Sequence, residues 1–301
     1  MKFFRILLLV LLFSLTSTTL TFANELTLSD VVILTENQVS ELSQEQRKHK
    51  LIERGFTEED VKNMSNHTQI TFLEANGIKA SYEVGETNHL YHTINGETHN
   101  FNALTEHEIQ KIKQEEHQLF LKEGQLVAPF NSEYREHGSW TGYIHAMVLE
   151  EDANNYIYLV SVDWHYNSGV FAMHTDAFGL TWDQNFTGYG DLLTYSAMAI
   201  SYDGDFYDRT NISIDVNRMG GGTGGTISVG NYAQQGGSFV QQISAPKRLS
   251  GENAELIFDY VHPHLPGFIS VSIDAGVFEF DFTGIFSGDE WYIPLSLQIG
   301  S

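Results

Sequence analysis

Carboxylates and imidazoles carry most of the chemistry available to this chain, which holds 39 acidic residues, 13 histidines and no cysteine. Asp203, Asp205 and Asp208 place three carboxylates in one short stretch between strand patterns. Such hard oxygen ligands on a turn suit Ca²⁺, so calcium is a cofactor the sequence suggests. His92 and His99 flank Asn95-Gly96, a dipeptide that favours a two-residue type I′ turn. With that turn His92 faces His99, with Cβ atoms about 5 Å apart. Two imidazoles at that separation, with His89 nearby, could hold zinc or copper. Asp163 and Asp215, each on a strand pattern, are the weak candidates for a glycosidase pair, which needs two carboxyls roughly 5–9 Å apart across a groove. Trp140, Trp164 and Trp182 are the candidate ligand-stacking residues, since exposed indoles on a sheet pack against sugar rings; the competing role is core.

Several chemistries are excluded. There is no G-x-S-x-G, no H-E-x-x-H and no P-loop lysine motif. The glycine-rich run Met219–Gly225 has no lysine after it and reads as a turn between strands. Absence of cysteine removes disulfides, thiolate metal sites and cysteine nucleophiles. A net charge of −23 sets the chain against nucleic acid and against anionic membrane surfaces.

These residues need elements to position them, and the chain divides in two by period. Residues 24–130 read as a small helical domain with one hairpin at 90–101. Ser43 with Gln46 is a capping box for a helix over 44–54, and Gly55 is placed to end it. Thr57 precedes the acids Glu58, Glu59 and Asp60, which suit a first helical turn. Ser65 caps a further helix ending near Gly77, and Thr105 with Glu108 starts one to about Glu123. The stretch LIERGFTEEDVKNMS (Leu51 to Ser65) resembles short helical segments near the N-termini of secreted Firmicute proteins, a resemblance that implies an extracellular setting and no activity. Residues 131–301 read as strands. Phe278, Phe280 and Phe282 alternate with Glu279 and Asp281, and Ile212, Ile214 and Val216 alternate with Ser213 and Asp215. About ten such strands predict a mostly β protein: a C-terminal antiparallel β-sandwich or jelly roll behind the helical domain.

The N-terminus reads as an address. Lys2 and Arg5 precede the apolar run Ile6–Leu15, and Thr21-Phe22-Ala23 offers small residues for cleavage after Ala23. The expectation is therefore a secreted bacterial protein with no transmembrane segment in its mature chain. Its leading function is an extracellular binding module for a polysaccharide, wall polymer or protein. The alternatives are a secreted hydrolase, with 24–130 as a pro-region, and a toxin or pore former. The last rests on the charge-poor alternation across Thr226–Ser244, which reads as an amphipathic hairpin.

Overall fold

The structure, a computed structural model, describes residues 26–122, 140–149, 152–166, 175–200, 206–208, 214–219, 221–228, 234–265, 268–283 and 286–301. The expected export segment and the boundary near 124–138 lie outside these residues.

Helices come first. They are α1 (Glu36–Glu41), α2 (Gln44–Glu53), α3 (Glu58–Asn63) and α4 (Asn66–Ala75). Each begins on a hydroxyl cap: Thr35, Ser43, Thr57 and Ser65 accept from the backbone N–H three residues on. α4 ends on Asn76 in the left-handed region, and the buried Arg54 donates to the carbonyls of Phe72 and Leu73 and to Asn76 Oδ1. Helix α5 (Glu106–Lys122) follows later, behind the expected Thr105–Glu108 box.

Two antiparallel sheets make the sandwich. The first runs β1 (Ile78–Lys79), β5 (Trp140–Val148), β6 (Asn155–Tyr166), β12 (Gln234–Pro246), β8 (Thr187–Ile200) and β9 (Phe206–Asp208). The second runs β10 (Ile214–Met219), β11 (Gly222–Ser228), β7 (Thr175–Trp182), β13 (Asn253–Pro263), β16 (Gly288–Gln298), β3 (Asn88–His92) and β4 (Thr98–Asn100). A short β2 (Tyr82–Val84) also pairs with β16. Between the sheets lies one aromatic core that includes Trp140, Trp164, Trp182, Phe178, Phe239, Phe258, Tyr260 and Trp291. Burying each such side chain contributes about 1.5–3 kcal/mol.

Both outer faces are covered. On the first sheet, Met147, Leu159 and Val240 meet Val39, Leu51, Phe56, Val61, Met64, Phe72 and Leu73 of the helical layer. On the second lies a separate two-stranded hairpin, β14 (Ile269–Asp274) with β15 (Val277–Phe282).

Three expectations change. The N-terminal segment is sewn into both sheets, β1 onto β5 and β3 onto β16, and its helices share a core with β5, β6 and β12. Removing it as a pro-region would strip an edge from each sheet and bare that core. Only the start of the glycine run is a turn, with Gly221 at φ 83° between β10 and β11: Gly222, Gly224 and Gly225 sit in β11, paired on both sides. A side chain at Gly225 would strike the Asp215 carbonyl. Finally, Thr226–Ser244 is no hairpin. Its two strands belong to different sheets, with β12 in the middle of the first.

Candidate functional site

The expected site residues are scattered. Trp140, Trp164 and Trp182 are all buried in the sandwich core, so none presents a ring to a ligand. Asp163 is buried on the outer face of the first sheet. It accepts from Thr68 Oγ1 at 2.9 Å and Ser65 N at 3.2 Å, which fastens the start of α4. Burial pushes its pKa up to about 6 against the pull of those hydrogen bonds. Asp215 is exposed on β10 of the other sheet, and its neighbours Ile214 and Val216 face the core. The two acids therefore point away from the interior on opposite sides and form no pair.

The histidine pair also dissolves. The turn is one residue longer than a type I′ hairpin: Thr93 N donates to the Glu97 carbonyl, and Gly96 sits at φ 79°. His92 then faces Thr98, and His99 faces Tyr91. A shift of one residue sends His99 to the opposite face. His92 bonds Glu290 at 2.6 Å, and His99 lies 3.6 Å from Glu97. Among the described residues no group of three or more His, Asp or Glu could hold a metal ion. Asp203 and Asp205 lie outside the described residues, and Asp208 ends β9.

The residues that do converge surround the chain between β13 and β16. Those two strands pair without a break from Asn253–Gln298 up to Pro263–Gly288. His264 N then donates to the Ser287 carbonyl at 2.7 Å, and Thr283 N donates to the Phe268 carbonyl. Beyond that, Ile269 faces Phe282 and the ladder runs to Asp274–Val277. Both arms of the bend have equal length, 264–268 and 283–287. The register of the long ladder and that of the small hairpin are therefore one. The described residues of 253–298 share the register of a single β-hairpin, and its distal part, 268–283, lies over the outer face of its own sheet.

That distal part has two faces. Ile269, Val271, Ile273, Phe278, Phe280 and Phe282 turn inward, while Ser270, Ser272, Asp274, Val277, Glu279 and Asp281 turn out. The inward face rests on a strip of glycines. A Cβ at Gly179 would lie 2.4 Å from Phe278 Cδ2, one at Gly222 2.8 Å from Ile273 Cδ1, and one at Gly224 3.1 Å from Val271 Cγ1. Side chains hold the hairpin down, for β14 and β15 pair only with each other.

A buried polar network braces the bend. Asp289 accepts from His89 Nε2 at 2.6 Å and pairs with His264 Nε2 at 2.7 Å. Burial alone would raise its carboxyl, yet the two imidazoles hold it well below the usual range. Asp176, fully buried on β7, pairs with His262 Nδ1 at 2.7 Å and accepts from the Tyr260 hydroxyl at 2.6 Å. Burial disfavours the His262 cation, but the Asp176 charge outweighs it and raises the imidazole. Glu116 of α5 accepts from Ser287 Oγ at 2.7 Å, from Ile94 N and from the Tyr91 hydroxyl. The alternation in 277–283 was the signal for the hairpin, but register is visible only once the partners are known.

No protein-family model matches the chain, and no curated protein does. Among solved structures it is similar to the Clostridium perfringens NetB toxin in its membrane-inserted form, at 9% identity over 54% of this chain and 95% of that one, with a TM-score of 0.28. It is also similar to a backbone pilin of Streptococcus pyogenes, at 8% identity over 54% of this chain and 46% of that one, with a TM-score of 0.29. A third is a CBM3a-L domain from a cellulosome scaffoldin of Clostridium thermocellum, at 13% identity over 37% of this chain and 70% of that one, with a TM-score of 0.19. These likenesses are to β-rich folds.

Proposed function

We propose that this chain is an exported protein that inserts the hairpin 264–287 into a membrane, several copies together closing a pore. The observation that carries the reading is the common register of the two ladders. Swinging the hairpin off the sheet requires no change in the register of either ladder, only a new direction of one ladder relative to the other. The result is a continuation of β13 and β16 by 264–274 on one arm and 277–287 on the other. Each arm has the ~9–11 residues that a membrane-crossing strand needs. Among the described residues of the bend, Leu265 and Phe286 fall on the apolar parity and His264, Thr283 and Ser287 on the polar one, while the exposed Phe268 breaks the alternation. A lone hairpin in hydrocarbon leaves both edges unpaired, so the inserted form requires a closed ring of copies. No described helix is long and apolar enough to cross a membrane.

The tryptophans named as ligand-stacking residues for a binding module are buried, and the two acids named for a hydrolase lie on different sheets and do not face each other. The absence of native cysteine gives a clean test of the pore reading. Gly224→Cys with Val271→Cys places two thiols where a disulfide can form between sheet and hairpin. Oxidised, this variant should release no dye from phosphatidylcholine vesicles. Reduced, it should release dye at the rate of the Gly224→Cys single variant. Equal release in both states, or none from any form including wild type, would reject the reading.

A further inference from the structure

The hairpin covers a carboxyl with nothing to neutralise it. Asp259 of β13 points to the outer face of the second sheet, between the core residues Phe258 and Tyr260, and is 8% exposed. Its cross-strand partner on β7 is Gly179, on which Phe278 of the hairpin sits. No hydrogen-bond donor and no cation reach its carboxyl among the described residues; the charge it feels is that of Glu290 on β16, itself paired with His92 of β3. On β16 its facing residue is Tyr292. Above it, β15 offers only phenylalanines, because Glu279 and Asp281 turn outward.

We infer that Asp259 is a pH-sensitive catch: protonated, it lets the apolar hairpin lie over it, and ionised, it drives the hairpin off the sheet. This rests on the membrane-insertion reading for its purpose, though not for its mechanism. Burial, with Glu290 adding to it, pushes the Asp259 carboxyl up from 3.8 to about 8. Lifting the hairpin returns the carboxyl to water and to its ordinary range. A group whose pKa is raised in the docked state supports docking most where it is protonated in both states, below about 4. That support fades by about tenfold per pH unit as pH rises toward about 8, and levels off beyond. The His–Asp pairs at the bend set no opposing trend over most of this span. His262, raised by Asp176, also holds firmest at lower pH, and Asp289 weakens only in strong acid. Release therefore comes with a rise in pH.

The test separates catch from membrane. Nitroxides on Ser272→Cys, on the outer face of the hairpin, and Ser296→Cys, at the far end of β16, report the docked fraction by electron–electron double resonance without any lipid. From pH 5 to 8 the undocked-to-docked ratio should climb about tenfold per unit, then flatten. Asp259→Asn and Asp259→Val, each checked for an unchanged near-ultraviolet spectrum, should remove most of that slope and leave only the same-direction share of His262. A pH-independent ratio in the labelled parent, or a slope that survives undiminished in both variants, overturns the catch. Undocking at high pH while vesicles stay sealed would uphold the catch and reject insertion; vesicle leakage with a pH-independent ratio would do the reverse.

Discussion

Asp163 shows how a residue that looks catalytic in sequence is spent on architecture. An acid on a strand with polar neighbours reads as a candidate for groove chemistry. In the structure Ser65 and Thr68 at the start of α4 close over it, so the carboxyl serves as an acceptor that fixes helix to sheet. Its pKa of about 6 has a measurable consequence. An acid raised on folding stabilises most when protonated, so wild type should lose roughly 2 kcal/mol between pH 4 and pH 6 through this group. Asp163→Asn should remove that slope in urea titrations run at both pH values. An unchanged slope would mean that another group sets the acid-range stability. The tryptophans follow the same logic: a large ring in a strand-rich segment is core or contact surface according to which face it takes, and single-residue reading does not supply the face.

At the scale of elements the outer face of the second sheet decides what folds where. Gly179→Val keeps the strand but drives a side chain into Phe278. Overpacking of this kind costs about 1–3 kcal/mol. Since only docking is opposed, chymotryptic cleavage at Phe278–Phe282 should quicken about tenfold or more while the β13–β16 ladder stays protected. Loss of the whole second sheet would instead mean that the hairpin is part of its folding core. The same face explains what could be read from the chain. Helix starts were legible because a capping box is local: Ser43 with Gln46 and Thr105 with Glu108 form as the spacing predicts. β7 was not, because its alternation is of size rather than polarity. Phe178, Leu180 and Trp182 fill the core, while Ala177 and Gly179 leave room for the hairpin. The glycines of β11 were read as a turn for the same reason, since a strand that must pass beneath another layer with no side chains resembles a loop. His92 and His99 were misplaced by the one extra residue that Gly96 allows in its turn.

For the whole molecule the governing quantity is the net charge of −23. An apolar hairpin face gains the same transfer energy from any fluid bilayer, so headgroup charge rather than hydrocarbon should select the target. The approach of so acidic a body to an anionic surface is opposed over a Debye length, about 30 Å at 0.01 M salt and about 3 Å at 1 M. The polar face of the hairpin adds Asp274, Glu279 and Asp281 to the part that must come nearest. Dye release from phosphatidylcholine vesicles should therefore vary little with salt. Vesicles containing a third phosphatidylglycerol should resist at 0.01 M and approach the neutral vesicles at 0.5 M and above, all at one pH so that the Asp259 catch is held constant. Charge-neutral variants of the hairpin face, Glu279→Gln with Asp281→Asn, should narrow the low-salt difference only in part, because most of the repelling charge lies in the body. Faster release from the anionic vesicles at low salt would mean that a local basic surface, and not the net charge, brings the protein to the bilayer.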